Sequence, residues 1–161
     1  MDIRPANPDD RPHLIRMRLA LQRHLEEANP RLWRTTPQGQ PHQERYVDDF
    51  LRDEWTYVAD HQGAPVAYIH GTVEHRTHLT PTAVGFLNGI YVDPPHRRRG
   101  TATALVATLL RRFQENGATE VNLRYVIGNP EGEKFWEKLG LTPIIVTANT
   151  PLHEMQRKLD T

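Results

Sequence analysis

Between the turn Val92-Asp93-Pro94 and a run of apolar residues at helical spacing, the chain reads His96-Arg97-Arg98-Arg99-Gly100-Thr101-Ala102. Gly100 and Ala102 carry little or no side chain, so the backbone can approach a ligand closely and turn consecutive N–H groups toward it. A helix starting here adds the positive end of its dipole, where negative groups are favoured. The stretch therefore reads as a cradle for a pyrophosphate-like anion. Three successive arginines bring positive charge to the same place. Arginine runs also occur as plain solvated surface, so charge alone leaves both readings open.

Downstream, Ala102, Leu105, Val106, Leu109 and Phe113 share one face of a helix from Gly100 to Asn116. Arg111 and Arg112 fall in its last turns, where cations suit the dipole, and Gly117 sits at its C-terminal cap. Val121, Leu123 and Tyr125 alternate as in a strand. Asn129-Pro130 opens another helix, with Phe135, Trp136 and Leu139 as its apolar residues and Gly140 after its end. The tail offers two further strands, Leu141 to Thr147 and Leu152 to Leu159. Upstream, Ala83 to Val92 reads as a strand stopped by Asp93-Pro94-Pro95, because proline cannot donate a backbone hydrogen bond. Trp55 to Asp60 and Val66 to about Glu74 flank the turn His61 to Pro65 as a hairpin, with Arg76 to Pro81 as a loop. The chain begins with an extended Asp2 to Pro5 and the capping residues Asn7-Pro8-Asp9-Asp10. An amphipathic helix carrying Leu14, Met17, Leu21 and Leu25 follows. After a loop from Arg31 to Pro41, Tyr46, Phe50 and Leu51 mark a second short helix. This order predicts one α/β domain over residues 1–161, with a strand, helix, strand crossover in its middle.

Composition narrows the function classes. Lys plus Arg equals Asp plus Glu at 20 each, which argues against a general nucleic-acid or membrane surface. There are no cysteines, so disulfides, thiolate zinc sites and a cysteine nucleophile are excluded. His70, His75 and His78 fit no common ligand spacing, and no metal is expected. No secretory signal pattern opens the chain and no long apolar run occurs in it, which leads us to expect a soluble cytoplasmic protein.

Two motifs carry a family resemblance. Arg97, Gly100 and Ala102, following Tyr91-Val92-Asp93-Pro94, match Gln/Arg-x-x-Gly-x-Gly/Ala after a Val-containing strand. Asn129 with Phe135-Trp136-Glu137-Lys138-Leu139-Gly140-Leu141 is similar to an Asn followed by Phe-Tyr-Glu-Lys-x-Gly-Phe. In this order, within a matching succession of strands and helices over nearly the whole chain, they resemble the GCN5-related N-acetyltransferases, the GNAT superfamily. The resemblance implies a GNAT fold: a central mixed, mostly antiparallel twisted sheet of about seven strands flanked by about four helices. It also implies acetyl-CoA as cosubstrate, with its pyrophosphate on backbone N–H groups around Arg97, Arg98, Arg99, Gly100, Thr101, Ala102 and Thr103. The pantetheine arm would lie where the strand ending at Val92 splays from Val121 to Val126, held by backbone groups of Ile90, Tyr91 and Val92, with Asn129 and Phe135 beside it. Asn129 reads equally as a helix cap, and Phe135 reads more readily as a core residue. Members of the family are often dimers, so a homodimer is a further expectation.

The implied reaction is attack of a neutral amine on the thioester, with backbone donors stabilising the oxyanion. Deprotonating a lysine of pKa about 10.4 near neutral pH costs roughly 4 kcal/mol, whereas an α-amine near 8 costs under about 1, so a general base matters far more for the first. The family often places a glutamate where this chain has Phe86, and a tyrosine as general acid where it has Trp136. Tryptophan supplies no useful proton. Alternation along the strand puts Tyr68, His70, Thr72 and Glu74 on one face, so His70 or Glu74 is expected as the base. Asn88 would orient substrate or water, and Tyr125 would be a replacement acid.

The sequence therefore reads as an acetyl-CoA-dependent N-acetyltransferase acting on a small-molecule or peptide amine, with no nucleic-acid or membrane partner. The alternative is an acyl-CoA-binding sensor or interaction module of the same fold that has lost catalysis, motivated by Phe86 and Trp136. Acceptor choice is expected to lie in the first two helices, the loop Arg31 to Pro41 and the strand pair near His75 to Thr82. There Glu26, Glu27, Asp48 and Asp49 would attract a cationic amine or simply face solvent.

Overall fold

The computed structural model describes residues 1–52 and 55–160. Five strands, β1 (Asp2–Pro5), β2 (Thr56–His61), β3 (Ala64–His75), β4 (Ala83–Val92) and β5 (Glu120–Leu123), lie side by side in chain order. The first three pairings are antiparallel and β4 pairs with β5 in parallel, so the sheet is mixed. The helices are α1 (Arg11–Ala28), α2 (Gln40–Arg52), α3 (Thr101–Glu115), α4 (Pro130–Lys138) and α5 (Leu152–Leu159).

Period-two alternation divides the core between two faces of the sheet. On one face Val58, Tyr68 and Tyr91 pack against Leu14 and Met17 of α1 and Val47 and Phe50 of α2. On the other, Ala67, Ile69, Leu87 and Val92 meet Leu105, Leu109 and Phe113 of α3 and Trp136 of α4. The apolar stripe that marks α3 in the sequence is the one buried: Leu105, Val106, Leu109 and Phe113 are all in the core.

The entry to α1 shows how local chemistry fixes the frame. The Asn7 side chain accepts from the Asp9 N–H while the Asp10 carboxylate accepts from the Asn7 N–H at 2.8 Å, closing a capping box on the short 3₁₀ turn that leads into α1. Arg4 on β1 donates to Asp10 and to Asp60 of β2, each at 2.8 Å, tying helix entry to the sheet. Burial raises the Asp10 carboxyl pKa, but the hydrogen bonds from Arg4 and the Asn7 N–H outweigh it and hold the pKa below its ordinary value.

The described residues form five strands rather than about seven, and five helices rather than about four. The two tail strands account for the difference. Residues 141–151 adopt no regular structure, and Ile144, Ile145 and Val146 are 76–82% exposed. A β-branched run is a strand only where a neighbour supplies hydrogen bonds, and this one has none. Leu152 to Leu159 is helix α5. Leu152, Met155 and Leu159 recur at helical spacing, Glu154 lies in the first turn, and Arg157 and Lys158 lie in the last, all of which suit a helix.

A cleft where two parallel strands part

The parallel pairing of β4 with β5 runs only from Val84 opposite Glu120 to Leu87 opposite Leu123. Beyond it β4 continues to Val92, while Arg124 to Val126 leave the sheet and line the opposite wall of a cavity of about 790 Å³. Alternate N–H and C=O groups between Asn88 and Val92 that would have bonded to a continuing β5 are thus turned toward the gap. The splay expected from the sequence is present, and the open β4 edge forms one side of the cavity from Leu87 to Val92.

At the foot of the cleft the chain turns into α3. Gly100 is left-handed, with φ 81° and ψ −3°, and Arg98 is also left-handed, with φ 59°. A Cβ on Gly100 would meet nothing within 4 Å, so the space over it is open. No side chain caps α3, and the Ala104 N–H is the one that reaches back to the Gly100 carbonyl. The N–H groups of Thr101, Ala102 and Thr103 precede it without intrahelical acceptors, as the dipole's positive end requires for an anion site. The Arg97 Nε donates to the Val92 carbonyl at 2.9 Å, and its guanidinium lies 5.6 Å over the Tyr91 ring. Arg97 and Arg98 both reach the Glu131 carboxylate in the first turn of α4, at 3.3 and 3.2 Å. Gly100, Thr101, Ala102 and Thr103 line the cavity with Arg97 and Arg98, whereas Arg99 is exposed and outside the lining. Asn129 caps α4, its Oδ1 accepting from the Gly132 N–H, and also borders the cavity. Phe135 is half-buried on the same wall, edge-on to the buried Trp136.

At the other end β4 carries a β-bulge. His70 pairs with Gly89 and Gly71 with Leu87, so Asn88 is the extra residue, with its side chain exposed in the cavity and its Nδ2 donating to Thr72 Oγ1 at 3.3 Å. Bulges re-aim side chains and increase local twist, and this one sits where the strands part. Next to it, a Cβ on Gly89 would lie 3.2 Å from the Tyr68 hydroxyl and 3.8 Å from an Arg18 Nη. Tyr125 lines the cavity from the β5 side. Phe86 and Glu74 do not line it, and Glu74 is exposed near the far end of β3.

His70 is outside the lining as well. It is 2% exposed and stacked on Phe50 at 3.7 Å. Its Nδ1 lies 2.8 Å from Thr56 Oγ1, whose single proton goes to the Phe50 carbonyl at 2.9 Å. The imidazole must therefore donate from Nδ1, and it is held neutral: burial, then the positive charge of Arg18, lowers its pKa from 6.5 to about 4. With the folded pKa depressed, the unfolded chain binds more protons between those values. Stability should therefore fall as pH drops from about 6.5 toward 4, by up to about 3 kcal/mol. Urea unfolding across that window tests this. His70→Asn, which keeps a donor toward Thr56, should flatten the slope, and an unchanged slope would assign it to other groups.

Two residues in the cleft carried no marker of function in the motif reading. Arg18 occupies a position between Leu14, Leu21 and Leu25 on the apolar stripe of α1, a place where a charge is conspicuous once helical spacing is counted. Glu131 follows the capping Asn129-Pro130 and reads as ordinary first-turn chemistry. Among the described residues no three His, Cys, Asp or Glu side chains are grouped to hold a metal ion.

Comparison with known proteins bears on the family and the fold. A family model described as the acetyltransferase (GNAT) family matches residues 19–141. Among solved structures, the aminoglycoside N-acetyltransferase AAC(6')-Iy in complex with CoA is 20% identical with a TM-score of 0.69, covering 93% of this chain and 99% of that one. A GCN5-related N-acetyltransferase from Ralstonia eutropha JMP134 is 24% identical with a TM-score of 0.70, covering 93% and 97%. The aminoglycoside antibiotic 6'-N-acetyltransferase AAC(6')-IG from Acinetobacter haemolyticus is 22% identical with a TM-score of 0.71, covering 94% and 99%. At these identities the likeness is one of fold. No curated protein sequence matches the chain significantly.

Proposed function

The chain belongs to the acetyltransferase (GNAT) family, and on that premise we propose that it is an N-acetyltransferase moving an acetyl group from acetyl-CoA to a primary amine in a ternary complex. The observation that carries the reading is the cleft between β4 and the departing β5, with the uncapped N-terminus of α3 and the open space over Gly100 at its foot. The free N–H groups of Thr101 to Thr103 and the guanidinium groups of Arg97 and Arg98 suit the pyrophosphate. The edge of β4 from Asn88 to Tyr91, beyond its pairing with β5, suits an amide-containing arm, which can bond to it as a strand would.

Backbone donors of that edge would hold the thioester oxygen as it takes on charge. The amine nitrogen forms its bond to the carbonyl carbon, the carbon–sulfur bond breaks, and the amine's proton ends on the sulfur. Tyr125, on the opposite wall, is our candidate for delivering that proton, and Asn88 for orienting the amine. His70 is buried and neutral and Glu74 is remote from the cavity, so in this reading neither collects the proton directly, and the amine enters already neutral or sheds its proton to water. That absence of a strong base also favours the second reading, a coenzyme-binding module without turnover. Calorimetric binding of acetyl-CoA and thiol-reagent detection of CoA release over a panel of amines separate the two. Tight binding without release on any amine would sink the enzyme reading.

Glu131 tests the cradle itself. Its carboxylate neutralises Arg97 and Arg98 when no phosphate is present and would oppose one that arrives. An exposed pair of this kind is worth up to about 1 kcal/mol, so Glu131→Gln should tighten acetyl-CoA binding roughly two- to fivefold at low salt. Weaker binding in that variant would show that the arginines need Glu131 to be positioned.

A further inference from the structure

Arg18 differs from the other arginines of α1 that face the body of the protein. Arg11 is paired with Asp48 at 2.6 Å and Arg16 with Asp93 at 2.8 Å. Among the described residues Arg18 has no carboxylate partner. Its Nε donates to Gln43 Oε1 at 3.0 Å and its guanidinium lies 5.2 Å over the Tyr46 ring, so α2 fixes its direction without neutralising it. Its Nη1 reaches the end of the cavity beside Gly89, next to the bulge. The Tyr68 hydroxyl behind it is buried, makes no well-formed hydrogen bond, and lies close enough to Arg18 to interact with it. A positive charge without a carboxylate partner among the described residues thus stands where the open β4 edge begins. That is the end away from the phosphate cradle.

Of the four acids that the sequence offers for a cationic acceptor, Glu27 is exposed and outside the cavity lining, and the other three are engaged elsewhere. Asp48 holds Arg11, Asp49 holds Arg52, and Glu26 accepts from Gln22 and from the Thr35 N–H. Among the described residues the cavity lining contains one carboxylate, Glu131, and it sits with Arg97 and Arg98. We propose that the acceptor is a small amine carrying a carboxylate beside its amino group, an amino acid or close analogue, with Arg18 pairing that carboxylate. Guanidinium groups favour carboxylates through paired, charge-assisted bonds. The positive field of Arg18 also disfavours an ammonium at the same spot, which helps an amine become neutral in a site that lacks a strong base. This assignment rests on the acetyl-transfer reading and refines it.

The test compares CoA release with the standard L-amino acids, their carboxamides and kanamycin, in the wild type and in Arg18→Gln. Alongside it, calorimetry in the presence of CoA measures binding of the N-acetyl amino acids against their amides. Free acids should be used about ten- to hundredfold more efficiently than their amides, as befits a hydrogen-bonded charge pair, and kanamycin poorly. Arg18→Gln should erase the preference while leaving acetyl-CoA affinity unchanged, and Arg18→Lys should restore part of it, which separates recognition from misfolding. Amides or kanamycin used as well as the acids, or a preference that survives Arg18→Gln, overturns the proposal. If no amine is turned over, the acetyl-transfer reading fails. The carboxylate site then stands if the N-acetyl acids bind in an Arg18-dependent way, and falls if they do not.

Discussion

Replacing Gly100 with valine is expected to weaken acetyl-CoA binding by about ten- to hundredfold while leaving the protein folded. The backbone at this position has φ 81°, a conformation that costs a residue with a Cβ roughly 1–2 kcal/mol and a β-branched one more. Nothing lies within 4 Å of a Cβ built there, so the substitution clashes with no part of the protein. The cost falls on the loop in one of two ways. Either valine keeps the left-handed turn and projects its side chain into the space a phosphate would occupy, or the turn relaxes and the N–H groups of Thr101 to Thr103 swing out of convergence. Both oppose the anion, and about 1.4 kcal/mol is already tenfold in affinity. Calorimetric titration with acetyl-CoA, beside a thermal melt, checks it. Affinity within twofold of wild type would mean that the anion does not sit over Gly100.

Phe113→Ala is expected to be the most destabilising of the substitutions considered, by about 3–5 kcal/mol, or on the order of 10 °C in Tm for a chain of this size. Phe113 is 2% exposed at the centre of the contact between α3 and the sheet, with Trp55 at 6.1 Å ring to ring. Its ring lies directly on two glycines of neighbouring strands. A Cβ on Gly71 would come within 2.6 Å of the ring's Cζ, and the three nearest atoms to a Cβ on Gly85 all belong to this ring. Gly85→Ala should therefore destabilise the wild type by about 1–3 kcal/mol through overpacking, yet cost much less once Phe113 is alanine. Urea unfolding of the two single variants and the double variant measures the coupling. Simple additivity would show that the ring and the glycine surface do not share one packing space.

The parts of this molecule that were legible in the sequence are those whose signal is local. Helix α3 is announced by its stripe from Leu105 to Phe113 and by glycines at both ends, and Gly100 and Gly117 do adopt positive φ. The cradle is suggested by residues that lie close together, Arg97 to Ala102, whereas the splay is expected only through the family resemblance. The tail departs from its sequence because Leu141 to Thr147 has strand composition, and composition does not say whether a neighbouring edge is available. His70 was placed on the correct face of β3, but its burial depends on Phe50 and Thr56, which other elements bring to it. Arg18 was overlooked although its position on the apolar stripe of α1 was countable. The bulge left one weak trace, the glycine at position 89 inside a strand.

That bulge has a consequence for how β4 tolerates change. Leu87 faces the α3 side and Tyr91 faces α1 and α2, although they are an even number of residues apart. The strand is written in two phases, switched at Asn88. Deleting any one residue between Val84 and Leu87 would throw the first half out of phase with its own core, and inserting one between Ile90 and Val92 would do the same to the second. Loss of Asn88 alone would join the halves in unbroken pairing with β3 while each keeps its own face, so what is lost is the residue exposed in the cleft and the local twist that the bulge adds. The strand should therefore accept many substitutions but scarcely any change of length outside Asn88, and its length records the position of the cleft.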